Sequence, residues 1–321
     1  MDMEFERNVL LSKYSNYCIG GPADFFSEPE SIQELQTVLN KWREINASNS
    51  EVARQIFILG GGTNILFPDE GLRGLTVRPA ITDIRREGNA VFADAGALMD
   101  SLLNFTANEG LSGLEWAGGL PGTLGGAIRG NAGCFGGEIK DVLKQVESVD
   151  TRTGEIIKRK LEECAFTYRS SIFKTNKHEV IVRAVLQLKP EERNVIAARR
   201  DEHITYRKER HPLEYPNIGS IFKNVPLEIF KSAQNLTEAE VRKRFLVKDD
   251  PFPVVPAARL IGEAGLKGKL SGGAKISEKH ANFIVNFNNA TASDVKELIA
   301  IAKKNVFQKF SIKLEEEVQV L

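Results

Sequence analysis

After Ser31, apolar residues recur at helical spacing: Ile32, Leu35, Leu39 and Trp42 fall on one face. Ser31-Ile32-Gln33-Glu34 has the form of a capping box, in which a hydroxyl and a carboxylate each satisfy a backbone N–H of the first turn. An amphipathic helix is therefore expected. Gln55 to Leu59, with four apolar residues in succession after Gln55, reads as a buried strand ending in Gly60-Gly61-Gly62-Thr63-Asn64. Ile65–Phe67 and Leu75–Val77 are predicted as short strands separated by the turn Pro68-Asp69-Glu70-Gly71. These elements make a first α/β segment, residues 1–79.

A second segment, 80–206, starts with a strand at Ala90–Gly96 and a helix from Leu98 to Asn108 that Gly110 closes. Strands are predicted at 145–150, 155–158 and 180–188, with a hairpin at Thr153-Gly154. The charged stretch from Glu191 to Arg210 reads as a helix leaving the sheet. A third segment, 207–321, holds a strand at 282–286 and a helix opening at Thr291, with Asp294 three residues on. Val295, Leu298, Ile299, Ala302 and Val306 give that helix one apolar face. Ile312 to Val320 reads as a final strand. No internal repeat or low-complexity linker interrupts the 321 residues.

Composition sharpens this picture in two ways. Lys+Arg and Asp+Glu both total 43, so there is no basic excess for a dedicated nucleic-acid binder. Eleven of the 27 glycines lie between Gly110 and Gly137, a crowding that needs a reason because each glycine costs extra backbone entropy to order. Cys18, Cys134 and Cys164 fit no metal-ligand spacing, so no metal is expected, and they suit reduced thiols in a cytoplasmic protein. The acidic start, Met1 to Arg7, lacks the apolar region of a secretory signal. No run of about 18 apolar residues suggests a membrane span. Asn46-Ala47-Ser48 is read as a chance glycosylation sequon.

Gly60–Asn64 and Gly118–Ala127 are the two glycine segments suited to close approach of backbone to a ligand, where bare N–H groups bind phosphate. Neither has the Walker pattern or Gly-x-Gly-x-x-Gly. Tight turns and close packing explain one such loop equally well. Two, followed by Asn131-Ala132-Gly133, favour a dinucleotide carrying a diphosphate.

Seven strings carry a resemblance. They are Ile19-Gly20-Gly21-Pro22-Ala23, Leu59 to Asn64, Gly113-Leu114-Glu115 through Ala127, Asn131-Ala132-Gly133, Tyr168-Arg169-Ser170-Ser171-Ile172-Phe173-Lys174, Gly219-Ser220-Ile221-Phe222-Lys223-Asn224, and Ser277 through Phe283. In order and spacing they resemble the UDP-N-acetylenolpyruvoylglucosamine reductase (MurB) family over nearly the whole chain. The resemblance implies an α+β protein: an FAD-binding two-subdomain fold of the vanillyl-alcohol-oxidase (PCMH) type plus a C-terminal α+β substrate domain. It implies noncovalent FAD, because the first loop carries Thr63-Asn64 and no His. It assigns the cofactor to Gly20, Gly21, Gly60, Gly61, Gly62, Thr63 and Asn64, and to Gly119, Pro121, Gly122, Thr123, Gly125, Gly126, Ala127, Asn131, Ala132 and Gly133. His178, His203, His211 and His280 default to structural or surface roles.

The implied reaction takes hydride from NADPH through FAD to C3 of UDP-N-acetylglucosamine enolpyruvate and a proton to C2, giving UDP-N-acetylmuramate for peptidoglycan synthesis. By the same resemblance Arg169 stabilises charge at the substrate carboxylate, Ser220 is the proton donor, and Glu317 is the C-terminal acid. Glu316 stands where the family often has Pro, so Glu315 remains the alternative; strand alternation would put Glu315 and Glu317 on one face. Tyr168, Lys208 and Asn224 are expected to bind substrate, with Arg210 a further phosphate candidate. Val225 before Pro226 departs from the family's direct Asn-Pro. Only 50 positions separate Arg169 from Ser220, which suits the family's shorter second type. A monomer is expected, with a small-molecule substrate and neither nucleic acid nor membrane as partner. Another flavin oxidoreductase of the same fold is the competing reading.

Overall fold

The computed structural model describes residues 5–46 and 55–321. The N-terminal stretch through Glu4, and Ala47 and Ser48 of the sequon, lie outside the described residues. The chain forms two compact units. The first comprises the chain up to Leu10, Pro22–Gly61 and Gly71–Tyr206; the second comprises Leu11–Gly21, Gly62–Glu70 and Arg207–Leu321.

Two differences from the three expected segments have physical causes. The four-stranded sheet of the first unit runs Glu6–Leu10, Pro22–Ser27, Leu72–Val77, Ile56–Ile58. Helix α1 (Ile32–Ile45) buries Leu35, Val38, Leu39 and Trp42 beside Leu75 and Val77 of this sheet. The same apolar cluster takes in Val149, Val180 and Val182, which belong to a second, five-stranded sheet. One shared core therefore merges the segments divided at residue 79. Conversely, Tyr17, Ile19 and Leu66 are buried in the core of the second unit, which draws their segments away from the first.

The five-stranded sheet is antiparallel throughout, in the order Ile156–Lys160, Leu143–Asp150, Glu179–Gln187, Ala90–Asp94, Ile84–Glu87. Helices α2 (Met99–Asn108), α3 (Leu124–Gly130) and α4 (Ile172–Thr175) bury Met99, Leu102, Leu124, Ile128 and Phe173 in its cluster. Helix α5 (Arg193–Arg210) leaves the unit at its last turn. At α1, the Ser31 hydroxyl accepts the Glu34 N–H at 3.1 Å as expected, but the Glu34 carboxylate accepts from Glu30 rather than from Ser31.

The second unit has a three-stranded antiparallel sheet, Leu270–Ser271, Ala274–Ile276, Ile284–Asn286, with helices α6 (Leu227–Gln234), α7 (Glu238–Arg244), α8 (Ala257–Glu263) and α9 (Ala292–Phe310). The capping box at α9 is complete: Thr291 Oγ1 accepts the Asp294 N–H at 3.1 Å and the Asp294 carboxylate accepts the Thr291 N–H at 3.0 Å. All five predicted apolar positions of α9 are buried. The expected strand over 312–320 is only a bridge between Glu316 and Phe222 and a short strand, Gln319–Val320. That strand pairs in parallel with Ile65–Leu66, which had been expected to belong to the first α/β segment.

Asn282 is buried and holds this unit together through its whole amide. Its backbone carbonyl accepts the Ile221 N–H at 2.8 Å, its Oδ1 accepts the Phe222 N–H at 3.0 Å, and its Nδ2 donates to the Phe222 carbonyl at 2.8 Å. On the other side, the Ile221 carbonyl accepts the Glu317 N–H and the Glu315 carbonyl accepts the Lys223 N–H, at 2.8 and 2.9 Å. Residues 221–223 thus lie between Asn282 and the C-terminal segment. Asn282→Leu keeps the volume but orphans a buried N–H and C=O, at a cost of about 1–3 kcal/mol for each group; a fall in denaturant midpoint without a change in m checks this.

His211 and His280 form a half-buried pair, ring centroids 5.6 Å apart, each packed on Phe283. Burial, then the charges of Arg207, His280, Lys279 and Lys248, lower His211 to about 4. Burial, then Lys248 and Lys267, lower His280 to about 4. Unfolded histidine titrates near about 6.5. Below that pH the unfolded chain takes up protons that the folded one refuses, so their contribution to stability is complete above it and is lost as pH falls toward the folded values. The melting temperature should fall steadily across that window, and a His211→Asn/His280→Asn variant should show a flatter profile.

Candidate functional site

In the first unit the two glycine loops meet. A Cβ on Gly60 would lie 2.9 Å from Thr123 Oγ1, and one on Gly61 would lie 2.7 Å from Gly122 Cα. Thr123 caps α3 by accepting the Gly126 N–H, and Gly125 lies so near Ala95 that a Cβ would come within 2.9 Å of the Ala95 methyl. Ala127 is buried, whereas Gly119 and Pro121 are exposed. Asn131 ends α3 in the left-handed region, φ 44°, and donates from Nδ2 to the Thr167 carbonyl at 3.0 Å. Its Oδ1 is a buried acceptor with no partner among the described residues. Ala132 N–H closes back on the Ala127 carbonyl, and the Gly133 carbonyl accepts from Arg169. A side-chain-free backbone surface beside an unused buried acceptor fits a dinucleotide that brings phosphates and N–H donors.

The glycines of the second unit lie close against neighbouring segments. A Cβ on Gly62, φ +64°, would overlap the Tyr14 carbonyl, and one on Gly20 would press on Phe67. Gly21 N–H donates to the Pro68 carbonyl. Thr63 leads into Asn64, whose Nδ2 donates to the Glu317 carbonyl at 3.2 Å and whose carbonyl accepts the Gln319 N–H at 3.0 Å.

Arg169 sits on a strained corner of the first unit. Thr167 and Ser170 exchange backbone hydrogen bonds at 3.0 and 3.1 Å around Tyr168-Arg169. Arg169 takes φ +56°, the left-handed region, which costs a non-glycine residue about 1–3 kcal/mol and persists only where the surroundings enforce it. Here they do. Arg169 Nη2 donates to the Gly133 carbonyl at 2.7 Å, Lys174 Nζ to the Arg169 carbonyl at 3.1 Å, and Ser171 Oγ to the Arg129 carbonyl at 2.8 Å. The guanidinium lies 5.1 Å from the Tyr168 ring centroid. Together with Asn131, these bonds tie the corner to residues 129–133.

Ser220 and Glu317 belong to the second unit. Gly219, φ +83°, donates its N–H to Asn217 Oδ1, and Ser220 follows half-buried, its hydroxyl without a hydrogen bond among the described residues. The chain bends at Glu317–Val318, so the alternation expected for Glu315 and Glu317 does not hold. Glu315 is exposed and paired with Lys223 at 3.2 Å; Glu316 pairs with Lys303 at 2.6 Å. Glu317 is half-buried, with its N–H on Ile221, the residue after Ser220. Asn224 Oδ1 accepts the N–H of Ala257, the first residue of α8. Val225-Pro226 pairs with Val254-Val255. Lys208 and Arg210 are exposed on the last turn of α5, and the Lys208 carbonyl accepts from Lys279 Nζ.

Two positions carried no role in the sequence reading. Asn282 stands in a motif without an assigned function, and Arg129 is a lone cation within the glycine block. A polar residue flanked by Ala281 and Phe283 in a strand-like stretch was the available sign for Asn282. Of the histidines, His178 is exposed and His203 stacks on Phe135 at 4.2 Å. Cys18 is exposed, Cys134 half-buried and Cys164 buried, with burial raising the Cys164 thiol to about 11. Among the described residues no helix is long and apolar enough to cross a membrane.

Known proteins match both parts of the chain. Residues 23–159 match the FAD binding domain family, and residues 211–321 match the family described as UDP-N-acetylenolpyruvoylglucosamine reductase, C-terminal domain. The UDP-N-acetylenolpyruvoylglucosamine reductase of Carboxydothermus hydrogenoformans is 42% identical over 316 residues, covering 98% of this chain and 93% of that protein. That of Clostridium novyi is 36% identical over 319 residues, covering 99% and 92%. The crystal structure of UDP-N-acetylenolpyruvylglucosamine reductase (MurB) from Thermus caldophilus superposes with a TM-score of 0.76 at 32% identity, covering 99% of both chains. With an FAD-binding domain followed by that C-terminal domain, the chain belongs to the UDP-N-acetylenolpyruvoylglucosamine reductase (MurB) family.

Proposed function

We propose that the protein uses NADPH to reduce the enolpyruvyl double bond of UDP-N-acetylglucosamine enolpyruvate, forming UDP-N-acetylmuramate in the cytoplasm for peptidoglycan synthesis. The observation that carries this reading is the placement of Ser220 on a segment clamped between Asn282 and the Glu317 backbone within the family's C-terminal domain. Bound FAD supplies hydride transfer between NADPH and C3 of the substrate. Gly60, Gly61, Gly122, Thr123 and Asn131 would hold it in the first unit.

The remaining chemistry falls to side chains. Once C3 has gained hydride, negative charge develops on the substrate carboxylate and C2 needs a proton. A planar guanidinium is suited to that charge, and the strained corner fixes Arg169 before substrate arrives. Ser220 donates the proton to C2. An alcohol is a weak acid, so the step relies on the strong basicity of the intermediate. The half-buried Glu317 is the better C-terminal acid, since Glu315 is exposed and engaged by Lys223. Tyr168, Asn224 and Lys208 bind substrate, with Asn224 Nδ2 available because only its Oδ1 is used by α8. The protein acts as a monomer, with neither nucleic acid nor membrane as partner.

The purified protein should carry a visible flavin spectrum that NADPH bleaches anaerobically and UDP-N-acetylglucosamine enolpyruvate restores. Recovery with oxygen and an alcohol, but not with this substrate, would indicate the competing oxidase reading. In Ser220→Ala, bleaching by NADPH should be unchanged while recovery by substrate slows by about 10²–10⁴-fold, the usual worth of a positioned acid; stopped-flow single turnovers separate the two phases.

A further inference from the structure

Several cations on and beside the sheets of the first unit are paired: Arg159 with Glu179, Arg183 with Asp94, Arg152 with Asp150, Arg86 with Glu109. Arg129 is different. It lies half-buried on the last turn of α3, and among the described residues its guanidinium meets no hydrogen-bond acceptor, carboxylate or ring. Burial alone lowers its affinity for the proton, with no neighbouring anion to oppose the effect. An uncompensated, partly desolvated cation lowers stability, and it persists where a ligand supplies the missing charge. Its backbone is fixed, because the Arg129 carbonyl accepts from Ser171 Oγ.

Its place on the helix says which ligand. Positions 126 and 129 are three residues apart and share a face of α3. Gly126 Cα lies only 4.0 Å from where a Cβ on Gly60 would stand. The face that receives the Gly60 backbone therefore carries Arg129 one turn later. Bare glycine N–H groups beside a guanidinium are the donor set for phosphate oxygens, which arginine binds with two parallel hydrogen bonds.

We propose that Arg129 is a cofactor-binding residue whose guanidinium holds the diphosphate of bound FAD. The assignment rests on the flavin reading of the protein and deepens it.

The test uses FAD-depleted protein titrated with FAD by flavin fluorescence quenching, in wild type, Arg129→Gln and Arg129→Lys. The Gln variant should bind at least tenfold more weakly and the Lys variant should recover part of the loss. Without FAD, Arg129→Gln should melt at a higher temperature than wild type, because a charge with no partner has gone. The midpoint potential of bound FAD should not move, since the diphosphate carries the same charge in both redox states. A potential lowered by about 30 mV, which is a tenfold selective loss of the reduced form for a two-electron couple, would place the charge at the ring and overturn the assignment. Unchanged FAD affinity overturns it too. So does a flavin-free Gln variant that melts lower or fails to fold, which would make Arg129 structural. Wild type that takes up no FAD removes the flavin reading itself, whereas wild type that binds alongside an unimpaired Gln variant removes only this assignment.

Discussion

No methyl group fits between Gly61 and Gly122. The chemistry of the first unit depends on that contact. It fixes where the loop leaving strand Ile56–Ile58 stops and where α3 begins, since Thr123 both borders Gly60 and caps the helix. From α3 the constraint runs on to Asn131, whose left-handed turn aims its amide at Thr167, and so to the corner that holds Arg169. Crowded glycine thus does two things at once. It leaves a stretch of backbone free of side chains, and it allows the close backbone approach that orders the neighbouring turns.

The second unit solves a different problem by different means. Its segment around Ser220 has little regular structure of its own, and such a segment depends on hydrogen bonds from elsewhere in the chain. Asn282 supplies three hydrogen bonds to two consecutive residues, while the C-terminal segment bonds the opposite side. A single buried amide here takes the place of a neighbouring strand. The arrangement leaves the Ser220 hydroxyl without a hydrogen bond among the described residues, next to a backbone that is bonded on both sides from Ile221 to Lys223.

How much of this could be read beforehand depends on the range of the interaction. Helices α1 and α9 were legible because their caps and apolar stripes are local, and even so Glu34 found Glu30 instead of Ser31. The glycine crowding between Gly110 and Gly137 was visible, but composition could not say which segment it packs against, because the meeting of Gly122 with Gly61 joins positions some 60 residues apart. The left-handed Arg169 left no trace in a string where glycine would have announced it. The C-terminal strand was overread: alternation in 312–320 looked periodic, yet the bend at Glu317–Val318 is set by Ile221 and Asn64, both remote in sequence. The motif resemblance located Ser220 and Glu317 without explaining what holds them.

The second unit is assembled from three separated stretches of chain. Tyr17 donates its buried hydroxyl to the carbonyl of Ile284, 267 positions later. On a ribosome adding about 5–20 residues per second, the tyrosine waits for tens of seconds before its partner exists. Throughout that interval the Tyr17 hydroxyl has no acceptor, whereas the strands of the four-stranded sheet are all present in the chain once Val77 has emerged. The hydrogen bond that satisfies the buried Tyr17 hydroxyl is therefore a late event of synthesis, although the residue itself is among the first made.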